Sequence, residues 1–175
     1  MFDHLTIRVR DLEASRRFYE LALGPPRSGG GGFVEWGDFG IAEAAPGKPA
    51  TRNLHVGFAA PDRAHVEEWW ERLTQAGHPD DGRPGVRPEY KPSYYGAFVI
   101  DPDGNSAESV HHDETPFGRA VIDHLWLRSD HLDAAERFYS LVAPLVGHRI
   151  VRDSDPDSVR VTDGTGSFSF VGDGG

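Results

Sequence analysis

The chain contains no cysteine, so disulfides, thiolate metal sites and a thiol nucleophile are all excluded. Nowhere does it approach the roughly 18 consecutive apolar residues that a membrane span requires. Cations are scarce: 18 Lys and Arg stand against 28 Asp and Glu, a net charge of -10. That balance argues against nucleic-acid binding, which rests on phosphate neutralisation by basic side chains. The opening Met-Phe-Asp-His lacks both the basic region and the apolar core of a secretion signal. These absences point to a cytoplasmic chain whose partners are small molecules or a further copy of itself. What is present is 175 residues, enough for one large domain or one ordinary domain plus a fragment, with 21 glycines and 13 prolines to punctuate it.

The dominant feature is internal repetition. "FDHLTIRVRDLEASRRFYELAL" (Phe2–Leu23) aligns without a gap, at an offset of 120 residues, with "IDHLWLRSDHLDAAERFYSLVA" (Ile122–Ala143). Between them lies a weaker copy, "NLHVGFAAPDRAHVEEWWERLTQAG" (Asn53–Gly77). Each copy begins with a histidine, His4, His55 or His124, at the head of a strand of alternating polarity. A helix follows in each. Asp11, Asp62 and Asp130 are the expected N-caps. The expected buried faces are Leu12, Ser15, Phe18, Tyr19 and Ala22; then Val66, Trp69, Trp70 and Leu73; then Leu132, Ala135, Phe138, Tyr139 and Val142.

Glycine-punctuated strands come after each helix: Phe33–Trp36 and Phe39–Ala44; Tyr95–Ile100 and Ser106–His111; His148–Arg152, Ser158–Thr162 and Ser167–Val171. The unit is therefore βαβββ, three times, and the fold class is α+β. The expected organisation pairs the first two units over residues 1–112, with a linker at 113–120 and a single third unit at 121–175. "GGGG" at Gly29–Gly32 reads as a hairpin loop, since no phosphate-loop lysine follows it. His111 and His112 read as exposed residues beside the linker.

Tandem βαβββ units with a leading histidine, and "DPDGNSAESV" (Asp101–Val110) closing the second unit, resemble the vicinal oxygen chelate superfamily. That group includes glyoxalase I, extradiol dioxygenases and bleomycin-resistance proteins. The resemblance implies that two units pair into a cup around a divalent metal, Fe, Mn, Ni or Zn. It assigns His4 and His55 as metal ligands on equivalent strands of the paired units, and Glu108 as the carboxylate ligand on a closing strand. Glu43 ends the first unit and is either a fourth ligand, as in glyoxalase-type sites where a carboxylate doubles as base, or a solvated residue at a strand end.

The loop "RPGVRPEYKPSYYG" (Arg83–Gly96) precedes a strand expected to line the cup. Tyr95 is the expected donor to a metal-bound oxyanion, which makes Glu43, Tyr95 and Glu108 the candidate catalytic residues. Lys91 or Arg8 would meet an anionic group, while Tyr90 and Tyr94 pack the loop. In the third unit the position matching Glu43 falls at about Val171 or Gly172, so no second metal site is expected there. Its cup face, carrying Trp126, needs a partner, which either a homodimer formed through residues 121–172 or packing of the third unit against the outside of residues 1–112 in a monomer supplies. Two functions fit: a metal-dependent lyase, isomerase or dioxygenase acting on a small oxygen-bearing substrate, or a non-catalytic drug-binding protein with an acidic, aromatic groove.

Overall fold

A computed structural model of the chain describes residues 2–113, 121–154, 157–164 and 166–172. Most of the expected linker, 114–120, and Asp173 fall outside the described residues.

The first unit contains β1 (Leu5–Val9), α1 (Leu12–Leu23), β2 (Ser28–Gly30), β3 (Phe33–Trp36) and β4 (Phe39–Glu43). The second contains β5 (His55–Ala59), α2 (Arg63–Gln75), β6 (Asp80–Val86), β7 (Tyr95–Ile100) and β8 (Ser106–His111). The third contains β9 (Ile122–Arg128), α3 (Leu132–Val142), a 3-10 turn at Ala143–Val146, β10 (Arg149–Ser154), β11 (Asp157–Thr162) and β12 (Ser167–Val171). Three βαβββ units are what the repeats predict. The additional strand β6 forms from the glycine- and proline-rich stretch, at the sheet edge where Pro84 loses no ladder bond.

Local chemistry explains the elements. Asp11 and Asp62 accept the amides of Ala14 and His65 at the helix starts. Asp130 does not cap α3: the cap position is His131, without a side-chain bond, and the Ser129 hydroxyl accepts the His131 amide instead. Phe18, Tyr19, Val66, Trp69 and Leu73 lie buried as the periodicity predicts. Phe138 does not, and is 57% exposed.

In each unit the first strand runs parallel to the last, β1 with β4, β5 with β8 and β9 with β12. The units join differently from the expected 1–112 pairing. β5 pairs antiparallel with β9, giving one eight-stranded sheet β10-β11-β12-β9-β5-β8-β7-β6, while β1-β4-β3-β2 forms a separate sheet. The cup is therefore built by the second and third units.

Sterics account for this choice. Gly57 lies opposite His124 across the junction, and a Cβ on Gly57 would run into the His124 imidazole. Only a residue without a side chain admits that ring. The equivalent residue of the first unit is Thr6. The outer edge of β1 is also engaged by its own chain: the Arg8 amide donates to the Thr51 hydroxyl, and the Thr51 amide to the Arg8 carbonyl. The first unit instead docks sideways, packing α1 on α2. Its Tyr19 hydroxyl donates to buried Asp101, and its Arg10 pairs with Asp103 in the turn between β7 and β8.

Candidate metal centre

Strand register decides which side chains meet. Two residues beyond each leading histidine stand Thr6, Gly57 and Trp126, and opposite them on the closing strands lie Gly40, Glu108 and Ser169. Only the second unit places a carboxylate at that position. Alternation on β5, β8 and β9 sends His55, Glu108 and His124 to one face, where they converge on the floor of a cavity of about 930 Å³.

The convergence is tight. His55 Nε2 lies 3.0 Å from Glu108 Oε2 and 3.1 Å from His124 Nε2, and His124 Nε2 lies 3.3 Å from Glu108 Oε2. Among the described residues these three form the group able to hold a metal ion. The donor set fits one: ligand bonds of roughly 2.1 Å meeting at right angles separate donor atoms by ~3.0 Å, and at tetrahedral angles by ~3.4 Å.

The surrounding shell fixes each ring. The Ser106 hydroxyl donates to Asp81 at 2.7 Å, so its oxygen accepts from His55 Nδ1 at 3.2 Å. Asp123 accepts from His124 Nδ1 at 2.9 Å and from His112 Nε2 at 3.1 Å. With Nδ1 of each ring engaged by its own acceptor, both Nε2 atoms face the centre, where a metal would displace the proton that His124 Nε2 shares with Glu108. Glu108 is only 1% exposed; its second oxygen accepts the Tyr94 hydroxyl at 2.8 Å, leaving Oε2 for the centre. Gly96 makes room for this carboxylate, because a Cβ there would collide with Glu108 Oε1.

Charge follows geometry. Burial alone would raise the Glu108 pKa, but hydrogen bonds from His124 and His55 hold it below the usual carboxylate range. Burial likewise works against a charged His124, yet its bonds to Asp123 and Glu108 carry its pKa up to about 10. Asp123 is held below the usual range by His112 and His124, against the cost of its burial. Burial and the neighbouring Glu108 push Tyr94 far above its ordinary value, so it remains a proton donor.

The sequence-predicted residues divide cleanly. His55 and Glu108 come together. His4 does not join them: it sits at the head of β1, with its side chain 70% exposed and bonded to Asp3. Glu43 lies opposite Val9, three residues beyond the position equivalent to Glu108, and alternates with Phe39 and Ile41 on the helix side of its sheet. It ends beside the turn at Gly32, exposed. Tyr95 also points away, donating to Glu67 on α2 at 2.7 Å, while its neighbour Tyr94 reaches Glu108. Lys91 lines the cavity; Arg8 donates to the Glu43 carbonyl outside it.

Sequence reasoning passed over His124, Asp123, His112 and Tyr94. His112 is buried, stacked on the Tyr94 ring at 5.8 Å, and not exposed as its place beside a linker suggests. The available signal was the repeated Asp-His pair, Asp3-His4 and Asp123-His124, set against a glycine at position 57.

Comparison with known proteins follows the same lines. The family model of the Glyoxalase/Bleomycin resistance protein/Dioxygenase superfamily matches residues 1–108, a span that includes His55 and Glu108 but stops short of His124. A search of curated proteins finds no match. Among solved structures, a glyoxalase/bleomycin resistance protein from Albidiferax ferrireducens is 29% identical, over 64% of this chain and 99% of that one, with a TM-score of 0.55. Two glyoxalase I variants from Zea mays are 19% identical. One covers 99% of this chain and 68% of that one at a TM-score of 0.65, the other 98% and 69% at 0.67. The maize likeness speaks to fold alone.

Proposed function

The chain belongs to the Glyoxalase/Bleomycin resistance protein/Dioxygenase superfamily, and from that premise we propose a metal-dependent enzyme acting on vicinal oxygens of a small molecule. The observation that carries this reading is the triangle of His55 Nε2, His124 Nε2 and Glu108 Oε2, with sides of 3.0 to 3.3 Å. These residues would hold one divalent ion, Fe, Mn, Ni or Zn. When bound, the ion supplies Lewis acidity toward the substrate oxygens. Two imidazoles and one carboxylate would supply three ligands and leave room for substrate, the donor set used by iron-dependent oxygenases.

The chain's own groups do the rest. Asp123 and Ser106 orient the two imidazoles, and Tyr94 fixes Glu108 by its second oxygen. Trp126, Phe98 and Tyr90 give the cavity an aromatic wall. A glyoxalase-type lyase uses a second carboxylate as ligand and base. Ser169 stands where the third unit would supply it, and Glu43 lies outside the cup. The dioxygenase reading is therefore preferred over the lyase or isomerase. Oxygen uptake with a catechol by the Fe(II)-loaded protein tests it, whereas turnover of a hemithioacetal without oxygen uptake would return the lyase. A metal-free drug-binding protein is the reading left if no divalent ion is retained.

Assembly as a homodimer fits one further observation. Phe18 is fully buried where α1 meets α2, whereas Phe138, its repeat partner on α3, is 57% exposed, beside Leu141 at 75% and Leu145 at 82%. The reason the sequence offers for a dimer, a third-unit cup face without a partner in the chain, does not apply, since the second unit joins that face through the pairing of β5 with β9. The open apolar stripe on α3 and the 3-10 turn after it takes its place, and an isologous contact would cover it. No helix among the described residues is long and apolar enough to cross a membrane.

A further inference from the structure

His112 stands where the second and third units meet. It follows β8, four residues beyond Glu108, and strand parity carries both side chains to the cavity face. Asp123 reaches that face by a different route. The pairing of β5 with β9 steps from Gly57 opposite His124 to Phe58 opposite Ile122, so Asp123 has no partner on β5. A bulge of this kind re-aims a side chain. Here it lets two adjacent residues, Asp123 and His124, both line the cavity.

The Asp123 carboxylate is divided between two rings. Its Oδ1 accepts from His124 Nδ1 at 2.9 Å and its Oδ2 from His112 Nε2 at 3.1 Å. The His112 ring also lies against Tyr94, with centroids 5.8 Å apart and planes inclined by 15°. Tyr94 in turn donates to Glu108 Oε1 at 2.8 Å, and Glu108 Oε2 lies 3.3 Å from His124 Nε2. These contacts close a ring of five side chains, Glu108, His124, Asp123, His112 and Tyr94. Within it His112 touches the support of both ligands and neither ligand directly.

The first unit supplies a comparison. Its Asp3–His4 pair makes the same bond at 2.9 Å, but the two side chains are exposed, and neither belongs to a metal-ligating group among the described residues. The dipeptide alone therefore does not make a ligand. Burial and the contact with His112 are what the junction adds to Asp123–His124. Building on the metal-centre reading above, we propose that His112 is a positioning residue for the centre. Its Nε2–H fixes Asp123, and through it the His124 ring; its face seats Tyr94, and through it Glu108. His55 is held separately, by Ser106 and Asp81.

The test is Zn(II) affinity, measured by competition with a chelating dye, with Co(II) absorption as a second readout of ligand geometry. Wild type comes first: if it binds no zinc, the metal-centre reading itself is overturned, and the role of His112 with it. With zinc bound, His112→Ala should weaken affinity about 10–100-fold and shift the Co(II) bands. His112→Gln, whose amide nitrogen can donate to Asp123, should return affinity to within about fivefold of wild type. In double-mutant cycles, His112→Ala should fall short of additivity by about threefold or more with Asp123→Asn and with Tyr94→Phe, and should add fully with Ser106→Ala. A merely structural histidine would give additivity in all three cycles. That result overturns the assignment, as does zinc affinity unchanged in His112→Ala, or a loss that His112→Gln leaves undiminished. Should His112→Ala not fold, His112→Phe keeps the stack and removes the donor: a tenfold loss supports the assignment, and unchanged affinity overturns it.

Discussion

At the scale of single residues the site depends on what is missing as much as on what is present. Gly57 and Gly96 admit the His124 ring and the Glu108 carboxylate. Gly57→Ala and Gly96→Ala should each lower metal affinity by tenfold or more and cost ~1–3 kcal/mol of stability from overpacking; metal titration and thermal unfolding check both. Protonation gives a second expectation. His124 has a pKa of about 10 in the metal-free protein, against an ordinary value near 6.5. Its contribution to stability is therefore complete below about pH 6.5 and disappears as pH rises through about 10. Glu108 and Asp123 are shifted the other way, so theirs is present above the ordinary carboxylate range and disappears as pH falls through their lowered values. A bound metal must displace the His124 proton. Metal affinity should rise with pH from about 6.5 toward 10, with proton release measurable by calorimetry in buffers of different ionisation enthalpy. An affinity that stays flat across that window contradicts the assignment of His124.

At the scale of elements, strand parity separates neighbours that composition cannot. Tyr94 and Tyr95 are adjacent, yet one donates to buried Glu108 and the other to Glu67 on α2. Tyr94→Phe should cost ~1.5–3 kcal/mol by leaving a buried carboxylate short of a donor, and weaken metal binding about 10–100-fold. Tyr95→Phe should change neither the unfolding midpoint nor the metal affinity. Most of the strands, the buried faces and caps of α1 and α2 and the βαβββ units were legible in the sequence because periodicity and capping are local. The inward direction of His55 was legible for the same reason. Register was not: Glu43 and Glu108 both lie on closing strands, but three residues of offset put Glu43 on the opposite side of its sheet. The burial of Phe138 was misjudged because the same Arg-Phe-Tyr stretch has a helix to pack against in the first unit and, among the described residues, none in the third.

At the scale of the molecule the question is which units pair. Three units share one pattern, and nothing local to His4 or His124 distinguishes them; the glycine opposite His124 and the Thr51 contact along β1 do. Because α3 keeps an open apolar stripe, light scattering should report a dimer that Leu141→Glu with Leu145→Glu converts to monomer without loss of metal. A monomeric wild type, or a dimer indifferent to both changes, contradicts that contact. The central claim is the pairing of the second and third units around a metal, and elemental analysis of three proteins tests it most directly. Wild type and His4→Ala should each retain one divalent ion per chain, and His124→Ala should retain almost none. Full retention by His124→Ala together with loss from His4→Ala would show that the first unit, not the third, completes the cup.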